Sequence, residues 1–280
     1  MMMMKKKPRG FTFVELLVVI VATAVLAVGL TVVLRPALDA YAIGRSRSEL
    51  ASAATVALQR IARDVAMAVP NSIRTPNSQC FDVVPSSASG RVRMGPDLAA
   101  PGSAPLDASQ PTMQLDVLTD LSPLPSAGTW LVMGNQTAGD LYSGLSRAAI
   151  ASAAAVPNSA FGTVRLNFSP AFQFPQGMSS GRFQLVSASQ GVVSYVCAAD
   201  TSGHSLWRIS GRPFVANHPT SCPATTGGQR IVTGLSACSF SYDPGPMATQ
   251  QYGLLTMQFD LARNGESASI VNSVQVLNQQ

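Results

Sequence analysis

The sequence predicts an α+β chain: a long N-terminal α-helix, membrane-spanning in its first half, packed through its second half on a C-terminal, mainly antiparallel β-sheet head. Three observations predict it. Residues 11–34 form an apolar run holding one charge, Glu15. Apolar residues then recur at helical steps as far as Ala68. Beyond Pro70 the chain breaks into short alternating segments divided by Gly, Pro, Asn and Ser.

The first element follows from length and charge. About 24 residues at 1.5 Å rise suffice to cross a hydrocarbon core of about 30 Å. The run is longer than the apolar region of a cleavable secretory signal, and it leads into more helix instead of a small-residue cleavage site. Lys5, Lys6, Lys7 and Arg9 precede it and account for most of the net charge of +5. The basic excess is therefore a topology signal that keeps this end cytoplasmic. From residue 11 onward the balance is about +1, with no Lys/Arg stripe interleaved with aromatics, so no nucleic-acid partner is expected. Charged residues make up only 12% of the chain, a balance that suits an extracytoplasmic β-rich protein.

Glu15 is the anomaly. An ionised carboxylate inside a bilayer costs at least about 2.5 kcal/mol, so intramembrane acids usually have a partner and a role. No basic residue lies within helix reach downstream. The partner is then a positive group made at the N-terminus, or one on another subunit.

Arg35-Pro36 ends the oily run, yet Leu50, Ala54, Leu58, Ile61, Val65 and Ala68 keep one face, with Arg45, Arg47, Glu49, Arg60, Arg63 and Asp64 mostly elsewhere. Pro70-Asn71-Ser72 stops the pattern. Residues 11–69 thus read as one helix of roughly 85–90 Å, apolar over 11–35 and amphipathic over 36–69. Residues 1–10 precede it as a basic leader, and 70–280 form the head. Residues 86–112, rich in Ser, Gly, Pro and Ala, read as a long surface loop. Strands are expected at 80–84, 113–118, 129–133, 162–168, 182–188, 191–197, 205–210 and 230–242, and a small helix at 141–154. In the last hairpin Leu255, Met257, Phe259 and Leu261 alternate, Asn264-Gly265 turns, and 267–277 returns.

Cys80, Cys197, Cys222 and Cys238 are an even set, and disulfides are the default outside the cytosol. Three pairings are open. Cys197 with Cys222, closing a loop of about 25 residues, is the one favoured.

Gly10-Phe11-Thr12-Phe13-Val14-Glu15, with a basic leader before it and an unbroken apolar helix after it, closely resembles the processing motif of type IV prepilins and pseudopilins. The resemblance implies a pilin fold, with no cofactor and no enzymatic activity. It also implies a prepilin peptidase that cuts between Gly10 and Phe11 and N-methylates Phe11. Glu15 would then be the assembly carboxylate, paired with the N-terminal amine of a neighbouring subunit. Such a pair neutralises two charges that would each be expensive alone in an apolar bundle. Pro36 falls slightly later than the helix proline of many members.

Finer blocks resemble the minor pilins of the MSHA pilus, MshO type. They are Leu58-Gln59-Arg60-Ile61-Ala62-Arg63-Asp64-Val65, Ala68-Val69-Pro70-Asn71-Ser72-Ile73-Arg74, Cys80-Phe81-Asp82-Val83-Val84-Pro85, Val193-Ser194-Tyr195-Val196-Cys197 and Leu206-Trp207-Arg208. That resemblance implies a single-pass inner-membrane protein with a periplasmic head. Its partners would be other major and minor pilins, an inner-membrane assembly platform and the lipid bilayer. A J-like pseudopilin of type II secretion shares the Arg-Asp helix end and is the alternative; a membrane-anchored periplasmic enzyme is more remote.

Rival chemistry has weaker support. Gly177-Met178-Ser179-Ser180-Gly181 matches G-x-S-x-G, with Asp200 and His204 or His218 downstream, but it lies between strand-like segments where the nucleophile elbow needs strand then helix. Cys197, His204, His218 and Cys222 lack the spacing of a compact zinc finger. Asp140, Asp200, Asp243 and Glu266 lie too far apart in sequence to argue for an acid–base pair. Trp130 and Trp207 sit in strand-like stretches and read as core.

Overall fold

The computed structural model describes residues 10, 12–95, 99–177, 180–201, 203–245, 252–263 and 266–278. The chain divides into two units, Met1–Leu50 and Ala51–Gln280. Helix α1, Phe13–Ala66, begins in the first and ends in the second. In the first unit its apolar side chains are exposed all round the helix, Phe13 at 78% and Leu26 at 70%. This is the one helix among the described residues long and apolar enough to cross a membrane. The helix continues through Pro36, where the ring forfeits one backbone bond.

In the second unit the helix is amphipathic. Ala54, Ala57, Leu58, Ile61 and Val65 are buried at the predicted spacing. The helix closes at Ala66, slightly before the expected boundary at 69, because Val69 gives its N–H to Val84 O at 2.8 Å and so leaves the helical ladder. Asn71 follows in the left-handed region, φ 58, which asparagine tolerates better than most residues. It is latched there: Asn71 Nδ2 donates to Asn135 O at 2.9 Å, and Asn135 Nδ2 donates to Pro70 O at 2.6 Å.

The head is built from β1 (Arg74–Asn77), β2 (Cys80–Val83), β3 (Ala88–Arg91), β4 (Thr112–Val117), β5 (Trp130–Val132), helix α2 (Ala138–Ser143), β6 (Arg147–Ala155), β7 (Val164–Phe172), β8 (Arg182–Val186), β9 (Val192–Asp200), β10 (Gly203–Arg212), β11 (Gln229–Asp243), β12 (Tyr252–Arg263) and β13 (Glu266–Leu277). One sheet runs β1-β2-β9-β10-β11-β12-β13 and the other β3-β8-β5-β6-β7-β4. Every neighbouring strand pair is antiparallel. Leu255, Met257, Phe259 and Leu261 are all buried on one face of β12, as their alternation requires. The expected Asn264-Gly265 turn lies outside the described residues, but β12 and β13 pair in register from Tyr252↔Leu277 to Arg263↔Glu266. Val69 from the helix exit, Val132 and Val186 from one sheet, Val192 from the other, and Leu141 and Tyr142 from α2 form one buried cluster that joins the layers.

Two expectations are corrected. The helix expected at 141–154 is Ala138–Ser143 only, capped by Thr137 and Asp140 and closed by Gly144 at φ 97. The alanine-rich stretch after it is strand β6, because β5 and β7 take its backbone bonds on both sides and override its helix propensity. Residues 86–112 are also not all loop. Ala88–Arg91 pairs with β8, and Ala104 N–H donates at 2.6 Å to Asp116, which Arg165 grips through two hydrogen bonds of 2.6 and 2.8 Å.

Candidate assembly site

The site is set by the first helical turn. Gly10 is exposed, and Phe11 lies outside the described residues. Thr12 precedes α1, with Glu15 in its first turn. Thr12 Oγ1 accepts the Glu15 N–H at 3.3 Å, while Glu15 Oε2 accepts the Thr12 N–H and hydroxyl, each at 3.4 Å. This is a reciprocal capping box, and it places a carboxylate where the helix dipole favours one. The bonds are long, and among the described residues Glu15 has no ion pair. An acid so placed on an apolar helix can bind a cation from outside its own chain.

Residues 5–31 match the family model described as the prokaryotic N-terminal methylation motif. The match supports a type IV pilin or pseudopilin-like protein with a membrane anchor, and the helix and β-sheet head are consistent with the pilin fold. No curated protein and no solved structure matches the chain.

In the head, two buried ionic clasps join the elements. Asp64 Oδ2 on α1 accepts bonds from Arg208 Nε of β10 at 2.7 Å and Tyr195 Oη of β9 at 2.8 Å. Burial pushes the Tyr195 phenol up, and the Asp64 charge adds to this. Burial alone would lower the Arg208 guanidinium, but Asp64 and Tyr195 reverse the effect and hold it above its ordinary value. In the second clasp Asp82 serves two guanidiniums, Arg212 Nη1 at 2.9 Å and Arg74 Nη2 at 3.5 Å. Arg74 lies over the Tyr142 ring, 3.3 Å from its centroid. Burial first, then the Asp82 charge, raise the Tyr142 phenol. Arg74 and Asp82 face each other across the local β1–β2 pair, whereas Tyr195, Arg208 and Arg212 come from 130 or more positions away and only the sheet order brings them in.

The disulfides differ from the expected pairing. Cys80 is joined to Cys222, and Cys197 to Cys238, so Cys197–Cys222 is not formed. The reason is strand alternation. Cys80 lies opposite Val196 in the register, and Cys80, Val196, Trp207, Ile209 and Cys222 share one face. Cys197, one residue on, points to the other face. There β11 reaches it, since Phe240 N–H bonds Ser78 O and Cys197 N–H bonds Gln79 O on the same turn.

The rival residues do not converge. Met178 and Ser179 lie outside the described residues, while Phe172 ends β7 and Arg182 opens β8, so the elbow's helix is replaced by a strand. Cys197 and Cys222 are bridged to different partners. His204 is on β10, and His218 is in the loop before β11. Asp140 caps α2, Asp200 bonds Ser205, and Asp243 bonds the Gly245 N–H. The Glu266 side chain lies outside the described residues. Trp130 is half-buried against Phe214, and Trp207 joins the Cys80 cluster.

Proposed function

We propose that the chain is a minor type IV pilin of the MshO kind, taking part in initiation and assembly of an MSHA-type pilus. A prepilin peptidase cuts between Gly10 and Phe11 and methylates the new Phe11 amine. Residues 11–35 hold the subunit in the inner membrane as a single pass, with the head in the periplasm. On assembly the helix moves into a filament core, and Glu15 takes the N-terminal amine of a neighbouring pilin as its counter-charge. A cytoplasmic ATPase drives that transfer through the inner-membrane platform. The observation that carries this reading is the Gly10–Glu15 motif opening directly onto an exposed apolar helix. The MshO assignment is supported by the resembling blocks, which supply Asp64, Tyr195 and Arg208 of one clasp and Arg74 and Asp82 of the other.

Mass spectrometry of the mature polypeptide, from cells with an active leader peptidase, tests it. The expected N-terminus is a methylated Phe11, and an intact leader overturns the reading. Glu15→Ala is expected to be cleaved normally but excluded from fibres. Unimpaired piliation by that variant would remove Glu15 from the assembly step. Loss of exoprotein secretion, with piliation intact, on deletion of the chain would favour the J-like pseudopilin instead.

A further inference from the structure

Between β5, β6 and the end of β10 lies a cleft of about 380 Å³, bordered by Trp130, Arg147, Gly191, Arg212, Pro213 and Phe214. Its charge is unbalanced. Arg147 gives its Nε–H to Leu141 O at 2.8 Å, and its guanidinium carbon lies 4.5 Å from the Trp130 ring centroid and 4.2 Å from that of Phe214. Among the described residues no carboxylate lies within ion-pair reach of Arg147. Arg212, across the cleft, shares its one carboxylate, Asp82, with Arg74. Arg74 and Arg212 therefore divide one acid between them, and Arg147 at the same cleft has none among the described residues. The Tyr142 ring links them, under Arg74 on one side and edge-on to Phe214 on the other.

A half-buried guanidinium with no anion is expensive to desolvate, and burial pushes Arg147 down accordingly. The flat guanidinium fork matches a carboxylate in shape as well as in charge. Trp130, Phe214 and Pro213 give the cleft an apolar wall, which suits a group with carbon attached and offers nothing to an inorganic anion. At the rim Gly191, φ 48, packs backbone to backbone on the end of β10: a Cβ there would lie 2.7 Å from Arg212 O.

We propose that this cleft is a binding site for an organic carboxylate, received between Arg147 and Arg212 with its carbon chain against Trp130 and Phe214. The carboxylate can come from a free small acid or from an acidic side chain on another polypeptide. The site stands apart from the N-terminal motif and does not depend on the pilin reading.

The test uses the full chain in detergent with Trp207→Phe, which leaves Trp130 as the reporting indole. Succinate, an N-acetylated glutamyl peptide amide and inorganic phosphate are titrated separately. Saturable Trp130 fluorescence changes are expected with the carboxylates, weakened at least about tenfold by Arg147→Gln and only partly by Arg147→Lys. A tighter peptide than succinate identifies a polypeptide source, and equal or weaker peptide binding identifies a free acid. Should Arg147→Gln fail to fold, Ala188→Asp at the exposed rim supplies an internal carboxylate and is expected to abolish binding. No saturable carboxylate binding, binding unchanged in the folded variants, or phosphate binding at least as tight as succinate overturns the proposal.

Discussion

Asp64 on α1 and Arg208 on β10 form a 2.7 Å ion pair across 144 positions of sequence, with both side chains about nine-tenths buried. It fixes the exit of the helix to the centre of a sheet. Removing one partner strands a buried charge, which typically costs about 3–5 kcal/mol. Asp64→Ala should therefore lower the unfolding free energy by about that amount. Asp64→Ala with Arg208→Met should cost less than the two single changes summed. Denaturant titration of the detergent-solubilised chain measures both.

Alkaline pH should loosen the head. Tyr142 and Tyr195 are neutral and buried, and both phenols are raised by burial and by a neighbouring carboxylate. A raised folded pKa gives stability that is fully present below the unfolded value, about 10. It is lost as pH climbs towards the folded value. Stability should hold from neutrality to about pH 10, then fall by about 1.4 kcal/mol per pH unit for each tyrosine. Tyr195→Phe should be less stable at pH 7, having lost the bond to Asp64, yet show a shallower alkaline slope. Unfolding curves from pH 7 to 11 decide the matter.

Peptide mapping under non-reducing conditions should recover Cys80 with Cys222 and Cys197 with Cys238. On loop-closure entropy alone, the wider Cys80–Cys222 loop is worth about 5 kcal/mol and the narrower one about 4. Replacing either pair by serines should lower the thermal midpoint, with Cys80/Cys222 the more damaging.

Gly162 and Gly227 both have positive φ, but only Gly162 is crowded. A Cβ there would meet Val117 O at 2.3 Å, whereas nothing lies within 4 Å of one on Gly227. Gly227→Ala should cost about 1–2 kcal/mol in backbone strain. Gly162→Ala should cost clearly more, because β4 must also shift. Paired melting curves of the two variants measure the difference.

Much of this was written in local sequence. Glu15 beside Gly10, the apolar run after it and the face of Ala54, Leu58, Ile61 and Val65 depend on neighbours within one or two helical turns, so residue order alone determines them. The last hairpin is equally local, since Leu255, Met257, Phe259 and Leu261 carry their own period of two. Alternation could even have separated Cys80 from Cys197, had the register of β2 on β9 been known. Tertiary structure alone decided that register, the cysteine partners, the conversion of the alanine-rich residues 147–155 into strand, the pairing of Arg212 with Asp82 and the placing of Arg147 and Arg212 at one cleft. Each depends on which strands become neighbours in a sheet, and that choice is made by burying side chains from distant parts of the chain together, where no short stretch of sequence records its partner.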